Sequence, residues 1–179
     1  ETTFYPSKGK ERLKSMIETR PDWCVSRQRV WGVPLPIFIN KKTNKILVDD
    51  EVFENIAKIY EKEGSDCWFS DDPQKFLGKK YKAEDFEKLS DIVEVWFDSG
   101  STHSFVLEKR KDLKWPASMY LEGSDQHRGW FHSSLLESCG TRDRAPFESI
   151  LSHGFVVDGK GLKMSKSLGN VIAPEDILK

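Results

Sequence analysis

Met119-Tyr120-Leu121-Glu122-Gly123-Ser124-Asp125-Gln126-His127-Arg128-Gly129-Trp130-Phe131 is the stretch that decides the fold. A short apolar run leads into five consecutive polar residues, and beyond them Phe131, Leu135 and Leu136 set a helical period that ends at Gly140. This predicts strand, polar turn, helix, with Ser124 or Asp125 as the cap. Such a turn directs free backbone N–H groups, and the positive end of the helix dipole, at whatever lies beyond the strand end. Glu122, Asp125 and Gln126 add acceptors suited to ribose hydroxyls or an ammonium group. Capping alone would account for one acidic residue here, not for the whole polar run.

Working outward, Ser149-Ile150-Leu151-Ser152-His153-Gly154-Phe155-Val156-Val157-Asp158 is a second apolar run with His153-Gly154 embedded in it. By itself His153 reads as a satisfied core histidine. The run also leads directly to Gly159-Lys160-Gly161-Leu162-Lys163-Met164-Ser165-Lys166-Ser167-Leu168-Gly169-Asn170, two lysines three apart among hydroxyls and glycines. Two readings of that loop stand open, a solvated surface turn or a clamp whose ammonium groups close on a polyphosphate. A third run, Asp91-Ile92-Val93-Glu94-Val95-Trp96-Phe97-Asp98-Ser99-Gly100-Ser101, is expected to be a buried strand entering a Gly/Ser turn, with Trp96 either core or a pocket wall. Three buried runs that each end in a polar turn predict an α/β fold: a parallel sheet with flanking helices and a nucleotide cleft at its carboxyl edge.

The rest of the chain is less specific. Residues 7–19 have helical character, with Ser7 as cap and Leu13, Met16 and Ile17 as the apolar stripe, and Pro21 ends them. Arg27 and Arg29 would share a face if extended, suited either to a phosphate or carboxylate or to acidic neighbours at a domain junction. Ile37-Phe38-Ile39 and Ile46-Leu47-Val48 flank a polar turn and predict a hairpin. Val52, Phe53, Ile56, Ile59 and Tyr60 then predict a helix over 51–63, stopped by Gly64. Residues 37–90 hold no catalytic constellation and are expected to be a small α+β insertion. Pro174, with Glu175 and Asp176 behind it, marks the start of another helix.

With 28 basic against 29 acidic residues, no global field draws the chain to nucleic acid, so any RNA contact must be local. Cys24, Cys67 and Cys139 have neither disulfide nor zinc spacing, and no metal site is expected in the chain. No apolar run nears the ~20 residues that span a bilayer, and no signal-peptide pattern opens the chain. The expectation is a cytosolic protein without a membrane partner. The chain opens on Glu1 and stops at Lys179 as a helix begins, so it is expected to be a piece of a larger protein.

Lys163-Met164-Ser165-Lys166-Ser167 resembles the signature loop of class I aminoacyl-tRNA synthetases. Together with Val95–Gly100 and Glu122–Phe131, in that order, the chain is similar to the bacterial isoleucine-specific branch, most strongly over 91–175 and 20–36. The resemblance implies the C-terminal half of a Rossmann-like nucleotide-binding fold. Residues 1–36 would return from the editing insertion, 37–90 would be the small inserted unit, 91–170 the second catalytic half and 171–179 the start of a helical region. It implies a full-length, monomeric enzyme that makes isoleucyl-adenylate from isoleucine and ATP, with Mg2+ on the triphosphate, and passes the aminoacyl group to tRNA(Ile). Lys163 and Lys166, with Ser165 and Ser167, would serve the triphosphate; Glu122, Gly123, Asp125, Gln126, His153, Gly154 and Phe155 the adenylate; Trp96 and Trp130 the isoleucine side chain.

Two departures accompany the resemblance. None of the four histidines stands in the family's other signature, His-x-Gly-His, and nearly all of the editing insertion is missing. The chain is therefore expected to be an incomplete active site, inactive in isolation. A sister synthetase for valine, leucine or methionine, and an inactive module that only binds tRNA or protein, are the rival readings.

Overall fold

The computed structural model describes residues 2–178. They form two compact units, one of residues 2–21 and 99–178 and the other of Asp22–Asp98.

In the first unit a three-stranded sheet runs in the order β1 (Thr3–Tyr5), β7 (Ser149–His153), β6 (Tyr120–Gly123), parallel throughout. β6 continues through a 3-10 turn (Ser124–Arg128) into helix α6 (Trp130–Arg142) and returns as β7. Parallel neighbours need such a helical crossover, because a tight turn cannot reverse the chain twice. Helix α1 (Gly9–Glu18) follows β1 and buries Leu13 against Tyr120, Phe131, Phe147 and Ile150. On α6 the fully buried positions include Ser133, Ser134 and Ser138 rather than the leucines of the predicted stripe. Small side chains let the helix lie close to the sheet. The Ser134 hydroxyl meets Tyr120 Oη at 3.0 Å and Ser138 donates to the Arg144 carbonyl at 2.7 Å, which offsets the cost of burying these two hydroxyls.

The parallel sheet holds, but one of its strands is not the one predicted. The 91–97 run gives only Ile92–Val93 (β5), which pairs antiparallel with β2 (Ser26–Arg27) in the other unit. Glu94 ends that strand: its carbonyl accepts from Phe97 N at 2.8 Å and its carboxylate from Trp96 N at 3.1 Å, which turns Val95–Gly100 into helix α5. The third parallel strand is β1, whose three residues are too few to show a period.

In the second unit β3 (Phe38–Asn40) pairs antiparallel with β4 (Phe86–Lys88). The predicted hairpin reduces to one bridge, Ile39 to Ile46, closed by Asn44 in the left-handed region, while the longer ladder goes to β4. Helix α2 (Asp50–Glu63) forms as predicted. Asp49 caps it by accepting from Glu51 N and Val52 N, and Gly64 at φ 83° ends it. Short helices α3 (Cys67–Ser70) and α4 (Pro73–Leu77) complete a core of Phe38, Val52, Ile56, Trp68, Phe76, Leu77 and Phe86. Trp68 satisfies its indole N–H on the Leu89 carbonyl at 2.8 Å. The closing helix α7 is Pro174–Ile177; the predicted 171–179 segment extends to Lys179, which lies outside the described residues. No helix among the described residues is long and apolar enough to cross a membrane.

Candidate functional site

The carboxyl ends of β6 and β7 lie side by side, Gly123 opposite His153 in register. Everything that follows either strand end in sequence therefore starts from the same edge of the sheet.

After β6 the polar run folds as a 3-10 turn, so α6 starts only at Trp130. The predicted caps, Ser124 and Asp125, fall one turn early, and Gln126 takes the role. Its Oε1 accepts from Trp130 N at 2.9 Å while its amide donates to Asp125 Oδ2 at 3.1 Å. Gly123 leaves room for the Asp125 carboxylate, whose Oδ1 would stand 2.5 Å from a Cβ here and would have to turn aside. Glu122 and Asp125 are exposed at the strand end. His127, singled out by nothing in the sequence, is buried: Nδ1 donates to the Ser124 carbonyl at 2.8 Å, and Nε2 has no partner among the described residues. Ser124, Ser152, His153, Gly154, Lys8 and Arg12 help line a cavity of about 390 Å³ at this edge. Trp130 stacks on Tyr120 with ring centroids 3.9 Å apart and donates Nε1 to the Ser99 carbonyl at 3.0 Å, so its plane is fixed. Trp96 belongs to the other unit and is 41% exposed on α5. Asp98, on the same helix, has its carboxyl pushed up by burial and by the Glu94 charge.

After β7 the chain is exposed. His153 turns Nδ1 onto the Gly154 carbonyl at 2.6 Å. Phe155 carries the Lys163 ammonium 4.0 Å above its ring centroid, a cation–π contact. Val157 bridges antiparallel to Lys163, so the first lysine sits on the returning arm of a small hairpin. Ser165 and Ser167 hydroxyls are 3.2 Å apart, and Ser165 Oγ accepts from Leu168 N at 3.3 Å, shaping the turn that holds Lys166 outward. Lys166 makes no ion pair among the described residues. Asp158 is held below the usual carboxylate range, chiefly by the Asn170 amide and then by Leu162 N–H.

Arg27 donates to its own loop, to the carbonyls of Cys24 at 2.6 Å and Ser26 at 2.8 Å, rather than to an acidic neighbour. Arg29 is exposed. No three His, Cys, Asp or Glu side chains gather as for a metal among the described residues.

A sequence model described as tRNA synthetases class I (I, L, M and V) matches residues 1–179. The chain is 86% identical over its whole length to an isoleucine–tRNA ligase of Pelagibacter ubique, of which it covers 20%. It is 59% identical over 180 aligned residues to that of Brucella abortus, of which it covers 18%. The chain thus spans about a fifth of the length of these relatives. Among solved structures, the LeuRS–tRNA–LeuAMS ternary complex of Agrobacterium radiobacter K84 shares the fold, with a TM-score of 0.61 at 22% identity over 93% of this chain and 24% of that one.

Proposed function

This chain belongs to the class I tRNA synthetase family that comprises the isoleucine, leucine, methionine and valine enzymes, and on that premise we propose that it is the second half of the catalytic domain of an isoleucine-activating enzyme. The whole protein would join isoleucine to ATP, release pyrophosphate, and pass the aminoacyl group to tRNA(Ile). The observation that carries this reading is the pairing of Gly123 with His153 at the carboxyl edge of a parallel sheet, with the lysine loop issuing from the same strand as His153. Open α/β sheets bind nucleotides at that edge.

The chemistry follows from charge. An oxygen of the isoleucine carboxylate attacks the α-phosphorus of ATP in line, and the bond to the leaving pyrophosphate breaks. Negative charge grows on the leaving group. Lys166, exposed and in no ion pair among the described residues, meets it, with Lys163 beside it once that ammonium leaves the Phe155 face. Ser165 and Ser167 shape the turn that presents them. Glu122, Asp125 and Gln126, around Gly123, accept from the ribose hydroxyls and the amino-acid ammonium; His153, Gly154 and Phe155 lie against the adenosine; Trp130 walls the isoleucine side chain. Trp130 suits that role because its stacked ring cannot turn away. A magnesium ion would come with ATP and share the charge of the triphosphate. Residues 1–36 form the return into the catalytic domain, 37–90 an insertion, 91–170 the second catalytic half and 171–179 the start of a helical region. The enzyme works as a cytoplasmic monomer.

ATP–pyrophosphate exchange by the full-length protein tests the reading. Isoleucine supports the fastest exchange among isoleucine, valine, leucine and methionine; preference for another of the four overturns the assignment. Lys166→Ala lowers the exchange rate by about 10²–10³-fold with isoleucine affinity little changed, and an unchanged rate refutes its role.

A further inference from the structure

No residue from Gly154 to Leu178 is buried, so packing does not hold the lysine loop in place. Its backbone is nevertheless closed at two turns. The first runs from Asp158 to Leu162: Asp158 N donates to the Leu162 carbonyl at 2.8 Å and Gly161 N to the Asp158 carbonyl at 2.9 Å, with Gly161 at φ +79°. The second runs from Ser165 to Gly169, where Leu168 N donates to the Ser165 carbonyl at 3.2 Å and Gly169 N to that of Lys166 at 3.3 Å.

One side-chain pair ties the two turns together. Asp158 Oδ1 accepts from Lys160 N and Leu162 N, both at 2.9 Å, and its Oδ2 accepts from the Asn170 amide at 2.8 Å. Asn170 spends its other amide atom on Ser165 N at 3.0 Å and approaches the Lys163 carbonyl at 3.3 Å. The backbone groups of Lys163 and Ser165 on either side of Met164 are therefore both tethered to Asn170, and Asn170 is tethered to Asp158. Both oxygens of Asp158 are occupied by N–H donors. This carboxylate, in a loop that carries Lys160, Lys163 and Lys166, makes no ion pair with any of them among the described residues.

We infer that Asp158 and Asn170 are positioning residues, a clasp that holds the backbone of the lysine loop at one height while leaving its ammonium groups unneutralised for a polyphosphate. This rests on the role proposed above for Lys166. Asp158 and Asn170 themselves touch no reacting atom. They act through the lysines, whose ~1 Å misplacement would be enough to cost orders of magnitude in rate.

The pair can be inverted without changing its shape. Asp158→Asn sets an amide against the Asn170 amide, donor against donor, and Asn170→Asp sets carboxylate against carboxylate. The double variant Asp158→Asn/Asn170→Asp restores one donor and one acceptor. In the full-length protein each single variant lowers the turnover of ATP–pyrophosphate exchange by about 10–100-fold, with the KM for isoleucine and the melting temperature unchanged, and the double variant regains most of the loss. Added to the double variant Lys163→Ala/Lys166→Ala, Asp158→Asn costs no more than about twofold, because a clasp that acts through these two lysines has nothing left to position. Wild-type turnover in the single variants, an inverted Asp158→Asn/Asn170→Asp pair as slow as either, or an undiminished penalty on top of Lys163→Ala/Lys166→Ala each overturns the clasp. The two readings fail separately. Unchanged exchange in Lys166→Ala alone sinks the role of the lysine loop, whereas slow Lys166→Ala with fast Asp158→Asn sinks only the clasp.

Discussion

Residues 38–88 and residues 154–172 are both built around an aspartate that accepts backbone N–H groups, and they are held in opposite ways. Asp49 caps α2 at the margin of an aromatic core in which Phe38, Trp68 and Phe76 touch edge to face or tilted, with centroids 5.0 Å apart for the Phe38–Trp68 and Trp68–Phe76 pairs. Asp158 organises a segment in which nothing is buried, tied by hydrogen bonds and by the Lys163–Phe155 cation–π contact. Apolar burial stabilises by area and has no direction, so it makes a region rigid as a whole. Hydrogen bonds at the surface exchange for water at little net gain, so the loop can open at low cost and still return to one geometry. The proposed clamp, which must admit a triphosphate and release pyrophosphate, needs the second construction; the proposed insertion needs the first.

The largest effect that sharpens this contrast is Trp68→Ala. It empties a fully buried site and removes about 3–5 kcal/mol, read as a lower denaturant midpoint for the transition of residues 38–88. A loss under about 1 kcal/mol, the range of a half-exposed site, would break the claim that this region is held by its core. A smaller effect comes from pH. Hydrogen bonds first from Lys80 and then from Tyr81 hold the Asp49 carboxyl at about 2, against 3.8 for the free group. Its folded value is the lower one, so its stabilisation is complete above the unfolded value and is lost as pH falls from about 4 towards 2. Melting curves taken across that range fall with pH, and Asp49→Asn flattens the fall; an equal slope in the variant would remove Asp49 from the account. The smallest effect is in the loop. Leu168 is exposed, and Leu168→Ala shifts overall stability by no more than about 0.5 kcal/mol, measured by the same unfolding curves. A shift of the size expected for Trp68 would mean that the loop is packed after all.

The two regions also differed in how much of each could be read from the chain. The aromatic core announced itself through the helical recurrence of Val52, Phe53, Ile56 and Ile59 and the Gly64 stop, yet Trp68 and Phe76 lie on helices of four and five residues, too short for any period to emerge. The lysine loop was legible as a motif, whereas its clasp was not. Asp158-Gly159 is an aspartate–glycine turn signature that would have marked the first half, but nothing in the spacing links Asp158 to Asn170, twelve residues on. His127 was equally silent, one polar residue among five until the 3-10 turn folded it inward.

By itself, the sequence determined the α/β class, the βαβ unit through 119–153, the α2 helix and the residues at the ends of β6 and β7, because each rests on local periodicity or turn chemistry. Only the tertiary structure decided which strand completes the parallel sheet, which serines α6 buries and which residue caps it. A three-residue strand such as Thr3–Tyr5 has no pattern of its own and exists because Ile150 and Leu151 offer it an edge. The 91–97 run, apolar enough for the core, bends at Glu94 because its carbonyl and carboxylate accept the backbone N–H groups that follow. Partners in the ladder, unlike periods in the chain, are settled only when distant segments meet.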